Sequence, residues 1–295
     1  MRRVVNRLPS RLGRLVVAGV PYGWLLAFLL APFLIVFKIS LSETRQGIPP
    51  YLPLWRDDGV HLSWAHYEFL LSDPLYAEAL VSSLQVATVS TLVCLLIGYP
   101  MAYGIARAPR SLRTPLLMMV VLPFWTSLLL RVYAWIGLLR TEGPVNQTLI
   151  ALGLIDEPLQ LLYTPFALHL GIVYSYLPFM ILPLYATLER LDGSLLEAAA
   201  DLGCRPFRAF LLVTLPLSLP GIVAGSLLVF IPAVGEFVIP DLLGGPDSLM
   251  IGSVLWSEFF SNRDWPVASA VAVVLLVLLV APIAALQRAQ RDEAS

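Results

Sequence analysis

The sequence predicts an all-α membrane protein of about six transmembrane helices. Scarcity of charge, and confinement of that charge to short segments between apolar stretches, carry the prediction. Of 295 residues, 58% are hydrophobic and 13% charged, against about a quarter charged in soluble domains. A soluble fold of this length has too little interior for so much apolar surface. A bilayer removes the difficulty by acting as the apolar solvent. A helix crosses its hydrocarbon with about 20 apolar residues, and six charge-free stretches approach or exceed that length.

The first expected span is Leu15–Phe37. It comes after a basic segment, as in a signal peptide, but its apolar run is too long and no A-x-A cleavage site succeeds it. It reads as an uncleaved helix, with Arg2 and Arg3 as charge anchors. The loop from Lys38 to Glu78 carries Pro49, Pro50, Pro53 and the aromatic stretch Trp64–Phe69, and is expected to hold a short surface helix. Spans two and three are Ala79–Ala106 and Thr114–Leu130, the latter continuing through Arg131 toward Leu139. Spans four, five and six are Leu159–Leu188, Ala209–Gly235 and Trp265–Gln287. The chain thus divides into a basic N-terminus (1–14), a membrane domain (15–288) and a tail (289–295). Cys94 in a span and Cys204 in a loop are not expected to form a disulfide, and the three scattered histidines give no zinc spacing.

Orientation is set by the basic residues. With the N-terminus cytosolic, thirteen of them fall in inside segments and six outside. Acidic residues divide the other way, six inside and fourteen outside. Both termini are therefore expected in the cytosol. The acidic outer face suits attraction of cations. Pro100, Pro123, Pro178, Pro183, Pro216, Pro220 and Pro232 interrupt the spans. Each removes a backbone donor, which lipid tolerates where neighbours or a wet cavity satisfy the freed carbonyls.

The segment after span four, residues 189–208, is the most informative. Ser194 to Leu202 reads as a short helix stopped at Gly203, where a C-cap turns through positive φ. Pro206 then opens a second helical stretch, and Ala198, Ala199 and Ala200 form a flat face. A helix–glycine–helix on the cytosolic side suits docking. Together with the start of span five, this run resembles the EAA loop of binding-protein-dependent ABC importer permeases. Glu197, Ala198, Ala199, Gly203, Val213, Leu215 and Pro216 stand at that motif's spacing, with Val213 where isoleucine is usual. Leu122–Leu139 and Ala233–Val273 are similar to the polyamine branch of the family, nearest its putrescine permeases.

The resemblance implies a type I ABC importer permease fold in the bacterial inner membrane. It implies a chain that forms half of a pore, is not itself an enzyme, and works with a second permease subunit, two ATP-binding subunits and an external solute-binding protein. In that family the loop seats a coupling helix on the ATPase. The chain has no Walker A sequence: its one lysine, Lys38, comes after Phe37, whereas a P-loop lysine comes after glycine. ATP would bind only to partners, and neither a metal, a cofactor nor nucleic acid is expected.

A polyamine requires carboxylates for its ammonium ends and aromatic faces for its methylenes. Glu236 closes span five, Asp241 comes just after Pro240, and Glu258 and Asp264 precede span six. A carboxylate near membrane depth is a functional candidate, and Glu236 is the first choice. Trp125, Tyr133, Trp135, Tyr174, Tyr176 and Trp256 are the candidate aromatic lining. Arg131 is expected to pair with an acid or reach the headgroups, and His169 to be a polar packing residue. Other solutes within the family, iron or thiamine, remain open, and the acidic outer face argues against sulfate. An ion-coupled carrier would place ionisable groups at midspan, where these spans have almost none.

Overall fold

A computed structural model describes residues 11–57, 59–245 and 248–293, with side chains only between 17 and 280. Most of the N-terminal segment 1–14 and the end of the tail 289–295 lie outside the described residues, as do the side chains of Arg11, Arg14, Arg288 and Arg291.

The chain opens with α1 (Arg11–Leu25), which passes through a π-turn at Leu26–Leu30 into α2 (Ala31–Ser40). The long loop carries a two-residue antiparallel hairpin, β1 (Trp55–Arg56) with β2 (Gly59–Val60), and the expected surface helix, α3 (Ala65–Ser72). Then come α4 (Pro74–Arg107), α5 (Arg110–Val121), a 3-10 turn at Leu122–Trp125, α6 (Leu128–Leu139) and α7 (Pro144–Ala151). Next are α8 (Pro165–Leu188), α9 (Ser194–Asp201), α10 (Pro206–Ala209), a π-turn at Phe210–Thr214, α11 (Leu215–Leu217) and α12 (Leu219–Val234). The chain ends with α13 (Val238–Leu243), α14 (Ile251–Trp256), a π-turn at Ser257–Ser261 and α15 (Trp265–Glu293). The first two π-turns end two residues before Pro32 and Pro216. A wider turn there moves the carbonyl that the proline ring would strike.

Among the described residues, three helices are long and apolar enough to cross a membrane: Val17–Ser40, Pro74–Arg107 and Pro165–Leu188. Two more apolar stretches are bent helix pairs rather than continuous helices, which corrects the expectation of two straight spans there. The third expected span bends by 89° between Trp125 and Leu128. Pro123 lies in the 3-10 turn and Thr126 is extended, so no helix runs from Thr114 to Leu139. The fifth bends by 65° at Ser218, between Pro216 and Pro220, which together remove two donors. The fourth begins at Pro165 rather than Leu159, because the Thr164 side chain caps the Ala167 N–H at 3.3 Å and the preceding residues form a loop. The sixth, Trp265–Gln287, is helical throughout.

The described residues fall into two compact units, one running through Asp73 and resuming at Leu255, the other spanning Pro74–Val254. In the first, α2 and α3 pack on α15. Asp264 is the N-cap of α15, accepting from the Val267 N–H at 3.2 Å and from the Thr44 hydroxyl at 3.0 Å, as short acidic side chains do at helix starts. Arg56 pairs with Glu43 at 2.6 Å. Val17–Ile35 is exposed along its whole length, the state of a helix whose cover is lipid or another chain.

The second unit is built on α4, α8 and α12, which pack against one another. Small residues permit the close approach, as in other membrane bundles. A Cβ on Gly98 or Gly225 would lie 3.0 or 2.9 Å from the Met180 side chain, and one on Gly221 would lie 2.6 Å from the Thr187 hydroxyl. Cys94, Ala102, Met180, Ile181, Leu184 and Val229 are fully buried between them. His169 and Ser90 share a hydrogen bond of 3.0 Å that joins α8 to α4, which gives that histidine a packing role.

Candidate coupling elbow and acid–aromatic cluster

Residues 189–208 fold as a bent elbow. Asp192 accepts from the Ser194 N–H at 3.0 Å, and this contact, with a smaller one to the Ser194 hydroxyl, holds its carboxyl below the usual carboxylate range. The acceptor is thus charged at neutral pH and present above its ordinary titration range, and it is lost only as pH falls through the lowered value. α9 ends at Asp201, one residue before the expected Leu202. Gly203 takes φ +75°, and the Cys204 N–H reaches back to the Ala199 carbonyl at 2.9 Å, closing the helix end as a left-handed cap does. Pro206 is the first residue of α10. Glu197 and Ala198 are exposed, and Ala199 is half-buried. Beside the turn, Leu202 is 89% and Phe207 72% exposed. Two large apolar side chains thus stand exposed on either side of one glycine turn.

The elbow is tied to the bundle through Phe210. Its ring meets Tyr99 edge-on at 5.5 Å and Tyr103 at 6.2 Å, and Arg107 lies over Tyr103 at 5.3 Å. The Ser218 hydroxyl donates to the Leu215 carbonyl, so Tyr99 must be the donor in its 2.9 Å bond with Ser218. Arg113 pairs with Glu189 at 3.2 Å. Val213 lies in the π-turn, and Leu215 and Pro216 start α11 immediately before the bend. Of the motif residues, those past Gly203 shape the kink, and Glu197 with Ala198 face outward.

At the other end of α12, Glu236 is only 8% exposed. The Tyr176 hydroxyl donates to its Oε2 at 2.5 Å and the Val238 N–H to its Oε1 at 3.1 Å. One carboxylate therefore joins α8, the end of α12 and the start of α13. Gly252 makes room, since a Cβ there would lie 2.5 and 2.6 Å from the Gly235 and Glu236 carbonyl oxygens. Around this bond stand Phe179, 6.1 Å from Tyr176, and Phe124, edge-on to Phe179 at 5.1 Å. The Arg131 guanidinium lies over Phe124 at 5.4 Å and its Nε has no hydrogen-bond partner among the described residues. A face of Phe124 thus occupies the position expected for an acid. Tyr174 meets Trp135 edge-on at 5.4 Å.

The sequence-predicted residues are only partly gathered. Glu236 and Tyr176 are in contact, as are Tyr174 and Trp135. Trp125 and Tyr133 are exposed on the broken third crossing, at 76% and 58%. Trp256 and Glu258 belong to the other unit, where Trp256 lies tilted against Phe260 at 4.1 Å and Glu258 accepts from Asn262 at 3.0 Å. Asp241, on α13, is exposed. Sequence reasoning missed Phe124 and Phe179. The three-residue spacing of Tyr176 and Phe179 on one helix face is the signal that finds the latter. Tyr176→Phe is expected to leave a buried carboxylate short of a donor. The cost is about 1–3 kcal/mol, read as a lower thermal midpoint of the detergent-purified protein.

Known proteins share both the sequence and the fold. The chain is 42% identical over 277 residues to the spermidine/putrescine transport system permease protein PotB of Haemophilus influenzae, covering 94% of this chain and 93% of that one. It is 40% identical over 273 residues to the PotB of Escherichia coli strain K12, covering 91% and 94%. A crystal structure of a bacterial ABC transporter involved in alginate import contains a chain of the same fold, with TM-score 0.67, 18% identity, and coverage of 93% and 96%. Residues 10–291 match the model of one permease family, and this protein therefore belongs to the binding-protein-dependent transport system inner membrane components.

Proposed function

We propose that this chain is one of two permease subunits forming the pore of an ATP-driven polyamine importer in the bacterial inner membrane. The elbow carries the reading: a charged, capped helix turns through Gly203 and presents Leu202 and Phe207 outward, the form that a docking lever needs. Relatives named for spermidine and putrescine transport, alike over more than nine tenths of the chain, support the solute class. In this reading residues 15–288 are the permease domain, both termini are cytosolic, and the elbow rests on one of two ATPase subunits. An external solute-binding protein delivers the solute. ATP-driven closure of the ATPases moves the elbow, and the Phe210–Tyr99 contacts pass that movement to α4 and to the kink at Ser218. Glu236, Asp241, Tyr174, Trp125 and Tyr133 border the route in the second unit, and Trp256 and Glu258 are the pathway residues proposed for the first. Glu236 is a preset acid, each oxygen of which keeps acceptor capacity beyond its one internal bond.

The test is purification of the assembly from membranes, mass spectrometry of what accompanies it, and ATP-dependent uptake of labelled putrescine and spermidine into proteoliposomes. Uptake competed by neither polyamine, or persisting without any ATPase subunit, overturns the reading. Glu236→Gln is expected to lower polyamine uptake about ten- to a hundredfold, the scale of losing one charge-assisted contact of about 1.5–3 kcal/mol. Wild-type kinetics remove Glu236 from the route.

A further inference from the structure

The carboxylates five residues apart on the α12–α13 segment differ in kind. Glu236 is engaged by two internal donors. Asp241 carries no hydrogen bond or ion pair on its carboxylate among the described residues. It opens onto a depression of about 560 Å³ lined also by Gln160, Tyr163, Ser248, Leu249 and Ser253. We infer that this depression is a binding subsite for one ammonium end of an alkyl diamine, separate from the Glu236 cluster, an inference that rests on the polyamine importer reading.

The walls are built rather than incidental. Asn146 is buried and clamps Leu159 from both sides, donating to its carbonyl at 2.8 Å and accepting from its N–H at 3.0 Å. Thr164 donates to the Leu161 carbonyl at 2.6 Å and caps α8. Between these two pins Tyr163 is held at φ +60°, a left-handed conformation uncommon for a bulky residue, and such strain gathers at ligand-holding sites. Gly245 passes beneath it, where a Cβ would lie 2.7 Å from the Tyr163 carbonyl oxygen. Its N–H is satisfied by Ser248 at 3.0 Å.

The polar lining is rich in acceptors and carries one aromatic ring. An exposed carboxylate, an amide, two serine hydroxyls and a phenol ring surround the space, and no basic side chain lines it among the described residues. An ammonium donates three hydrogen bonds and accepts none, so it matches the carboxylate, the amide oxygen and a hydroxyl. Leu249 and Pro240 supply an apolar wall for the methylenes, and the Tyr163 face is available for cation–π contact.

Cysteine protection tests this in the whole transporter, in vesicles with the outer face out. Leu249→Cys is placed on the wall in a background with Cys204→Ser, and a membrane-impermeant maleimide is added outside. Putrescine is expected to slow alkylation about fivefold, the upper range of a single exposed charge contact. The uncharged 1,4-butanediol should not slow it. Asp241→Asn should erase protection and Asp241→Glu retain it, with Ser253→Cys as the second reporter. Equal rates with and without putrescine, equal protection by the diol, reaction only from the inner face, or protection only when the solute-binding protein is present each overturn the subsite. Putrescine uptake by the same vesicles separates the two failures. Uptake without protection removes the subsite alone, and absence of any polyamine uptake removes the functional reading.

Discussion

Gly203→Val is expected to uncouple ATP hydrolysis from uptake while leaving the protein in the membrane at normal abundance. Gly203 stands at φ +75° with open space around the position of a Cβ, so the penalty is conformational and not a clash. A β-branched residue in the left-handed region costs about 1–2 kcal/mol, which depletes the bent elbow by a factor of about 5–30. α9 and α10 would then meet at another angle, and the exposed Leu202 and Phe207 on either side of the turn would be presented differently. Gly203→Asn, tolerated in that region, should keep most uptake. Reconstituted complexes supply both readouts, phosphate release and solute uptake per transporter. Unchanged uptake by the valine variant would count against the docking role.

Gly252→Ala should have the second large effect, through a different cause. A single methyl group would press on the Gly235 and Glu236 carbonyl oxygens at 2.5 and 2.6 Å. Both are backbone atoms that cannot rotate aside. Overpacking of this kind costs about 1–3 kcal/mol, and relief requires moving the turn that holds Glu236. The carboxylate would then lose the Tyr176 hydroxyl and the Val238 N–H together. The detergent-purified protein should unfold at lower temperature, and uptake should fall with it. Gly137→Ala, where nothing lies within 4 Å, is the matched control. Equal thermal midpoints for the two variants would show that the Glu236 turn is not held from behind by α14.

Crossings that run straight are legible in the sequence, and broken ones are not. Ala79–Ala106 lies within α4 despite Pro100, because an apolar stretch in lipid has no lower-energy choice than a helix. Thr114–Leu139 has a similar composition yet turns by 89°. Pro123 warns of a kink without giving the angle, which packing against neighbours decides. The elbow is the clearest feature, because Gly203 and Pro206 act through local backbone geometry. Charge suggests charge, so the sequence points Arg131 toward an acid, but the structure places it over Phe124. Ring faces are invisible in a string of residues.

By itself the sequence determined what local rules control: the membrane as solvent, the helix–glycine–helix turn at Gly203, and the residue types present in the acid–aromatic cluster at Glu236. Only the tertiary structure decided which carboxylate is engaged and which is free. Glu236 and Asp241 look alike along the chain. The phenol that binds one of them comes from α8, sixty residues away, and hydrogen bonds between distant segments depend on helix packing, which sequence spacing does not encode.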